Sequence, residues 1–246
     1  MQRSAPRPSS SRTRTRLRML ACAAVPLMVV AAGCSSDSEG PTDADKPAPA
    51  TSKAEAKVAP AKFATLPADL CKTVSAKTVA DLVPATKDKS GSAGKSSDIT
   101  TRGSCSWNGL DDNGVKGSQY RWLDVSFMRY DSDATLGSGQ DRAAEYYKEV
   151  VATAQGTKGA KNVKSAPAAG VGSEATAITY GITMTDELFG NVTIAARSEN
   201  VVITLTYNGA GYAGAKSPAA ADLVADATKA AKEVVATLPS ASKAAS

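Results

Sequence analysis

The segment 191–207 constrains the fold more than any other part of this sequence. Apolar residues alternate with other residues along 191–197, and 201–207 is the most β-branched run in the chain. Both patterns predict strands. Only Glu199 and Asn200 separate the two strands, and so short a connection joins antiparallel neighbours. We therefore expect a mainly antiparallel sheet.

Helical and strand patterns also alternate through the remainder of the chain. Further strands are predicted at 102–110, 120–130 and 176–180, and a Gly/Lys-rich linker precedes the last of these. Helices are predicted at 75–83, at 141–155 and from Pro218 to just before Pro239, the last with Ser217 as its N-cap. The apolar stripe expected on this last helix consists of Ala221, Val224, Thr228, Ala231 and Val235. The sequence thus predicts one α+β domain, residues 66–239, with helices flanking the sheet.

The N-terminal 33 residues have the pattern of a secretory signal peptide. Residues 1–18 contain six arginines and no acid, and residues 19–33 form an uncharged apolar run. This run suits the apolar core of a signal peptide and is too short to span a bilayer comfortably. Of the 29 basic residues, 23 remain beyond this segment, against 24 acids. The nominal charge of +5 therefore gives no indication of nucleic-acid binding.

The leader ends in Ala31-Ala32-Gly33-Cys34, which resembles a bacterial lipobox. The resemblance implies cleavage before Cys34 and a diacylglycerol on its sulfur, which would hold the protein on the extracytoplasmic face of the cell membrane. Residues 34–65 are rich in Ser, Pro, Ala, Thr and Lys, which predicts a disordered tether, and 240–246 is predicted to be a disordered tail. An ordinary secreted protein with an incidental Cys34 is the alternative.

The remaining cysteines predict a disulfide. Cys22 lies in the leader, which leaves Cys71 and Cys105 in an oxidising compartment. A structural bond between them is the expectation, and we expect Trp107 to pack over it. A redox-active pair or a two-thiolate metal site is the alternative, for which the chain offers no histidine ligand.

The composition excludes several kinds of catalytic site. With no histidine, the chain has no Ser-His-Asp triad, no Cys-His dyad and no imidazole base. Aromatic residues make up 5% of the chain, which argues against a platform that stacks on bases or sugars. The acidic segments 111–114 and 131–133 match turns better than calcium loops. We predict no catalytic residue, no metal and no cofactor.

Several short motifs occur in a recognisable order: a lipobox, a low-complexity tether, Leu70-Cys71 before a short helix, Gly-Ser-Cys-Ser-Trp at 103–107, Gly-Val-Gly-Ser-Glu-Ala at 170–175, a hairpin and a closing helix. This order resembles the actinobacterial lipoproteins that carry domain of unknown function 3558. The resemblance implies surface exposure, a disulfide and a sheet flanked by helices. It supplies no activity and no catalytic residue, and Ser173 stands where the family often has aspartate.

Three residues are candidates for contact with a ligand or partner. Gly172 and Ser173 lie in a glycine-rich stretch that fits either a backbone nest for an anion or a tight entry into a strand. Trp122 lies on the strand face opposite Leu123, where either a helix covers it or it belongs to a contact surface. The sequence leaves both choices open.

Together these features favour a non-enzymatic ligand-binding or sensing module of the cell envelope. Its expected partners are the membrane, through the lipid anchor, and an unknown small ligand or envelope protein, with no nucleic acid. A structural or accessory envelope protein that makes protein–protein contacts is one alternative. A secreted hydrolase that uses carboxylates is another, but it needs two acids facing each other in a cleft.

Overall fold

The computed structural model describes residues 58–238, which form one seven-stranded antiparallel sheet flanked by helices. The strand order is β1-β2-β3-β7-β6-β5-β4. The strands are β1 (Ser92–Ala93), β2 (Arg102–Asp111), β3 (Ser118–Arg129), β4 (Lys161–Pro167), β5 (Glu174–Met184), β6 (Glu187–Ser198) and β7 (Val201–Tyr212). The helices are α1 (Ala76–Leu82), α2 (Gly139–Gln155) and α3 (Ala220–Ala236), with 3-10 turns at Leu70–Thr73 and Gly114–Lys116. The predicted α+β class and flanked sheet are confirmed.

Two groups of hairpins join at the centre of the sheet. The first group is β1 to β3 and the second is β4 to β7, and antiparallel pairing of β3 with β7 unites them. The predicted hairpin at Glu199 and Asn200 is confirmed, since Ser198 pairs with Val201. Because β3 and β7 lie far apart in sequence, their pairing decides which side chains become neighbours.

The first face of the sheet carries the main core. Alternate residues of β3, β7 and β6 point to this face, where α1, α3 and the N-terminal segment cover them. The largest of these buried strand residues are Leu123, Val125, Phe127, Ile203, Leu205, Tyr207, Val192 and Ile194. Removing this much apolar surface from water is the main stabilising term of the fold.

The second face carries a smaller core under α2. Ala143, Tyr147 and Ala154 of the helix pack on a strand cluster formed by Ile178, Ala195 and Val202. The helix predicted at 141–155 is thereby confirmed, and Ser138 caps it by accepting a hydrogen bond from the Asp141 backbone N–H. One helix is too narrow to cover this face of the sheet.

The linker predicted after α2 is wrong, because the structure has the edge strand β4 there. Every residue of β4 is exposed, so its sequence carries no alternation of apolar and polar residues. The strand is held by pairing with β5, which has a stronger pattern of its own. Backbone pairing of this kind leaves no hydrophobic signal in the sequence.

The predicted start of α3 is also wrong, and of its predicted stripe only Ala231 is fully buried, while Val224 and Val235 are partly buried against the core. The helix begins at Ala220 with Ala219 at the N-cap, whereas Ser217 accepts a hydrogen bond from the Gly211 N–H and donates one to the Leu188 carbonyl. The loop therefore uses this hydroxyl to link the neighbouring strands β6 and β7. The buried stripe consists of Leu223, Ala227, Ala230, Ala231 and Val234, whose small alanines let the helix lie close to the sheet.

The domain begins before residue 66, so the predicted boundary is wrong. Phe63 is buried, and Ser132 donates to the Ala59 carbonyl at 2.6 Å. The partner that fixes Phe63 is Asn200, which is 137 residues away, and composition gives no sign of such a contact. The rest of the predicted tether, together with Cys34, the leader and the tail, lies outside the described residues.

The predicted disulfide is present between Cys71 and Cys105, whose Cα atoms are 5.2 Å apart. Trp107 lies two residues further along β2 on the same buried face, and its Nε1 donates to the Lys89 carbonyl at 3.2 Å. Gly91 has a φ of 79°, and a Cβ there would lie 2.6 Å from the Cys105 Sγ and 2.5 Å from the Trp107 Nε1. Only glycine therefore lets the chain pass over the disulfide and the indole.

Candidate functional site

Beyond α2, the second face of the sheet presents two cross-strand rows of side chains, which we call the open face. The first row runs across β2, β3, β7 and β6 and consists of Ser106, Asp124, Thr206 and Thr193. The second row continues to β5 and consists of Asn108, Trp122, Asn208, Asn191 and Tyr180. Side chains directly opposite on antiparallel strands have Cβ atoms about 5 Å apart. The strand pairing therefore builds a continuous polar and aromatic surface.

Asp124 lies at the centre of the first row. Its cross-strand neighbours are Ser106 and Thr206, and no donor within residues 58–238 forms a hydrogen bond or ion pair with its carboxylate. Burial alone raises the pKa of Asp124 to about 6, from an ordinary 3.8. A half-buried carboxylate without a partner weakens the fold, and such groups are concentrated at functional sites.

Replacement of Asp124 by asparagine is expected to stabilise the folded protein at pH 7. The folded state holds a proton that the unfolded chain has already released, so stability falls as pH rises from about 4 to 6. We expect D124N to abolish this dependence and to gain on the order of 1–2 kcal/mol at pH 7, a figure reduced for partial exposure of the side chain. Urea unfolding at several pH values from 4 to 7 measures both effects.

Asp98 is the matched control for this experiment. Hydrogen bonds from Thr100 and Thr101 lower the pKa of Asp98 to about 2. Stability from Asp98 is present above its unfolded pKa and is lost as pH falls toward 2, the opposite sign. D98N should therefore destabilise the protein at pH 7. Equal pH profiles for wild type and D124N would contradict the assignment of Asp124.

The asparagines of the second row differ in how their polar atoms are satisfied. Asn191 is buried, and its Nδ2 donates to the Phe189 carbonyl at 3.0 Å. Asn208 is 9% exposed, and its Oδ1 is buried without a hydrogen-bond partner among the described residues. Asn108 is exposed at the other end of the row. Buried polar atoms in native proteins are nearly always paired, so the Asn208 oxygen marks an unmet acceptor in this surface.

Aromatic side chains gather at the same end of the second face. Tyr120 and Phe189 meet edge to face with ring centroids 5.9 Å apart, and Phe189 meets Tyr212 at 6.3 Å. Together with Trp122 and Tyr180, these residues make five of the twelve aromatics in the chain. The low aromatic content therefore does not prevent an aromatic surface, because the sheet concentrates the few rings that are present.

Grooves run along the flank of α2 where it meets the sheet. One groove of about 370 Å³ lies between helix residues that include Tyr146 and strand residues that include Tyr180, Thr193 and Thr206. A second groove of about 450 Å³ continues from Tyr146 toward Lys95 and Arg102. The first groove borders both rows of the open face, so a ligand on the rows would also reach the flank of the helix.

The structure separates the contact residues that the sequence nominated. Trp122 is half-buried in the open face with no described helix over it. Gly172 and Ser173 instead lie against Arg197, where the Ser173 N–H and hydroxyl both donate to the Arg197 carbonyl, at 2.8 and 2.9 Å. Arg197 is six positions along β6 from Asn191, which sets these residues about 20 Å from Trp122.

The backbone conformation at Gly172 explains why a glycine stands at this point. Its φ is 61°, and a Cβ there would lie 2.3 Å from the Arg197 carbonyl oxygen. The glycine-rich stretch thus serves a tight entry into β5, and the Ser173 donors that an anion would need are occupied. Of the two interpretations that the sequence left open, the geometry favours the strand entry.

Five open-face residues belong to no motif that is recognisable in the sequence: Asn108, Asp124, Tyr180, Asn191 and Asn208. The sequence does mark each of them as a candidate, since each is a polar or aromatic residue within a predicted strand or within the observed extension of that strand. Their convergence depends on the order β2-β3-β7-β6-β5, which local patterns do not reveal.

The acidic turns use their carboxylates internally. Asp112 accepts hydrogen bonds from the Gly114 N–H and the Ser118 hydroxyl, both at 2.9 Å. Asp133 accepts from the backbone N–H groups of Thr135 and Leu136, both at 2.8 Å. Within residues 58–238, no group of three or more Cys, Asp or Glu side chains is placed to hold a metal ion.

Comparisons with known proteins add one structural likeness. No family model and no curated protein matches the chain. The crystal structure of LpqN, involved in cell envelope biogenesis of Mycobacterium tuberculosis, is similar over 61% of this chain and 79% of that chain, with 14% sequence identity and a TM-score of 0.31. At this TM-score the likeness carries no argument about function. No helix in the described part of the chain is long and apolar enough to cross a membrane.

Proposed function

We propose that this chain is a lipid-anchored extracytoplasmic protein of the cell envelope, and that it acts as a non-enzymatic module that binds a ligand on its open face. The observation that carries the binding role is the pair of cross-strand rows that contain Asp124 and Asn208, since the Asp124 carboxylate and the Asn208 Oδ1 have no partner within the described residues. The anchor rests on the leader and on Cys34. The disulfide between Cys71 and Cys105 is consistent with an oxidising compartment.

The surroundings of Asp124 support binding rather than hydrolysis. A carboxylate-dependent hydrolase needs a second acid close enough to interact with the first. Burial is the sole cause of the raised pKa of Asp124, with no contribution from a neighbouring charge. Its cross-strand neighbours, Ser106 and Thr206, are hydroxyl residues suited to hydrogen bonding.

The anchor is tested by replacing Cys34 with serine in cells fed labelled palmitate. We expect C34S to lose the label and to leave the membrane fraction. Two acyl chains anchor a protein stably, and serine at this position would carry none. C22S is the matched control: Cys22 lies in the predicted leader, so this variant should stay labelled and membrane-bound. Labelled C34S, or label lost equally from both variants, would contradict lipidation at Cys34.

The binding role is tested by thermal shift of the purified full-length protein against wall fragments, lipids, oligosaccharides and envelope ectodomains. A ligand that binds the open face raises the melting temperature of wild type by mass action. Thr206→Arg places a long cation in the first row and should remove that shift, whereas the exposed turn variant Asn113→Ala should retain it. Silence across every class, or a shift that T206R leaves intact, would overturn binding at this face.

A further inference from the structure

We infer that the open face binds a neutral oligosaccharide, with Trp122 and Tyr180 as stacking surfaces and the three asparagines as its hydrogen-bonding partners. This inference rests on the proposed function and names its ligand class. The underlying juxtaposition is the second cross-strand row, in which three amides and two rings lie side by side across five strands.

A sugar ring needs two kinds of contact from one surface. Its faces carry C–H groups, which pack on aromatic rings, and its edges carry hydroxyls, which both donate and accept hydrogen bonds. Trp122 and Tyr180 are half-buried at separated positions of the row, so each has ring surface left to contact a ligand. The row thus offers both kinds of contact side by side.

The amides supply the edge contacts. An asparagine side chain has one acceptor oxygen and two donor hydrogens, which match a hydroxyl in either role. Asn108 is exposed, so its amide can contact a ligand directly, whereas the unpaired Oδ1 of Asn208 has almost no accessible surface and meets a ligand hydroxyl only when the amide turns toward the open face. In the adjacent row, the Asp124 carboxylate can accept from further hydroxyls.

The charge of the open face selects against other ligand classes. Neither row contains Lys or Arg, and Asp124 repels anions, so a phosphate or carboxylate ligand would lack a counter-charge here. An aliphatic lipid chain would bury the exposed Asn108 amide and the half-buried Asp124 carboxylate without hydrogen bonds, which costs free energy. A neutral molecule rich in hydroxyls avoids both penalties.

The length of the row suits a short oligosaccharide. Trp122 and Tyr180 are three strand spacings apart, across β7 and β6, which is about 14 Å. The flanking groove of about 370 Å³ shares Tyr180 with the row, so the ligand can extend toward α2. We therefore expect recognition of a di- or trisaccharide segment rather than a single sugar.

The experiment is calorimetric titration of the full-length protein, in a detergent without a sugar headgroup, with maltotriose, mannotriose and chitotriose. Wild type should bind at least one of them, and Trp122→Ala and Asn208→Ala should each weaken that binding about tenfold or more. Asn108→Ala changes an exposed side chain, so it keeps the fold and should also weaken binding. Asn113→Ala, in the exposed turn after β2, should bind like wild type.

Two results would overturn the inference. In the first, no oligosaccharide binds while another class, such as inorganic phosphate or a lipid vesicle, binds and Trp122→Ala abolishes that binding; the proposed function then stands with a different ligand. In the second, an oligosaccharide binds wild type and the three row variants equally, which places the sugar elsewhere. Absence of binding by every class would reject the proposed function itself, and with it this inference.

Discussion

We expect the Asn200→Ala variant to lose about 3–4 kcal/mol of unfolding free energy, because its amide joins three parts of the chain. The Oδ1 atom accepts from the Phe63 N–H at 2.8 Å, and the Nδ2 atom donates to the carbonyls of Phe63 and Tyr130, each at 2.9 Å. Asn200 is fully buried. Alanine leaves the Phe63 N–H and the Tyr130 carbonyl without partners and leaves the Phe63 carbonyl with only the Arg129 Nη1 donor at 3.4 Å, and each unsatisfied buried group costs about 1–3 kcal/mol before water enters.

A second variant separates the hydrogen bonds from the shape of the side chain. Asn200→Asp keeps the shape, but a carboxylate cannot donate to the Phe63 and Tyr130 carbonyls and would be buried beside them. We expect N200D to be at least as destabilised as N200A at pH 7 and to recover in part in acid. Urea unfolding at neutral and acid pH measures this difference.

Asn208→Ala is the matched control for Asn200→Ala. Both asparagines are buried, but no hydrogen bond within residues 58–238 involves the Asn208 side chain. N208A should therefore change stability by less than about 1 kcal/mol. Equal losses for N200A and N208A would contradict the role assigned to the Asn200 amide.

The second large effect is expected from removal of the disulfide. The bond closes a loop with a sequence separation of 34 residues. In the chain-entropy model, a loop of this length restricts the unfolded state by about 3–4 kcal/mol. We expect C71A/C105A to lose about that amount of unfolding free energy. Both cysteines are replaced so that no free thiol remains buried at Cys105.

Reducing agent provides the control for the disulfide prediction. Wild type should lose stability when unfolding is measured with reductant, whereas C71A/C105A should give the same urea midpoint with and without it. Loss of the bond should leave the open face intact, since Cys105 points to the opposite face of β2. A double variant as stable as oxidised wild type would show that the bond does not stabilise the fold.

Much of the fold is visible in local patterns. The alternation of Leu123, Val125 and Phe127 predicted β3, and the two-residue connection at Glu199 and Asn200 predicted the hairpin of β6 and β7. These predictions succeeded because each depends on residues that are close in sequence. The exposed strand β4 was missed because pairing alone holds it.

The candidate site was much less predictable. Trp122 was nominated from its position opposite Leu123, but the partners that make it part of a surface are Asn108 and Asn208, one on each neighbouring strand. Gly172 and Ser173 had an equally plausible motif. In the structure they pack on the Arg197 backbone and hydrogen-bond to its carbonyl instead. The odd or even position of a polar residue in a strand indicates which face of the sheet it lies on. It does not indicate which residues of other strands lie beside it.

The sequence by itself determined most of the strands, the approximate positions of the helices, the pair of cysteines that bond, and the absence of any histidine chemistry, since all of these follow from composition or from periodicity within a short stretch. The tertiary structure alone decided that β3 pairs with β7, that one helix leaves part of the second face uncovered, and that Asp124, Trp122 and Asn208 become neighbours. The physical reason is that strand order is settled by contacts between distant segments, whose free energy no local pattern records.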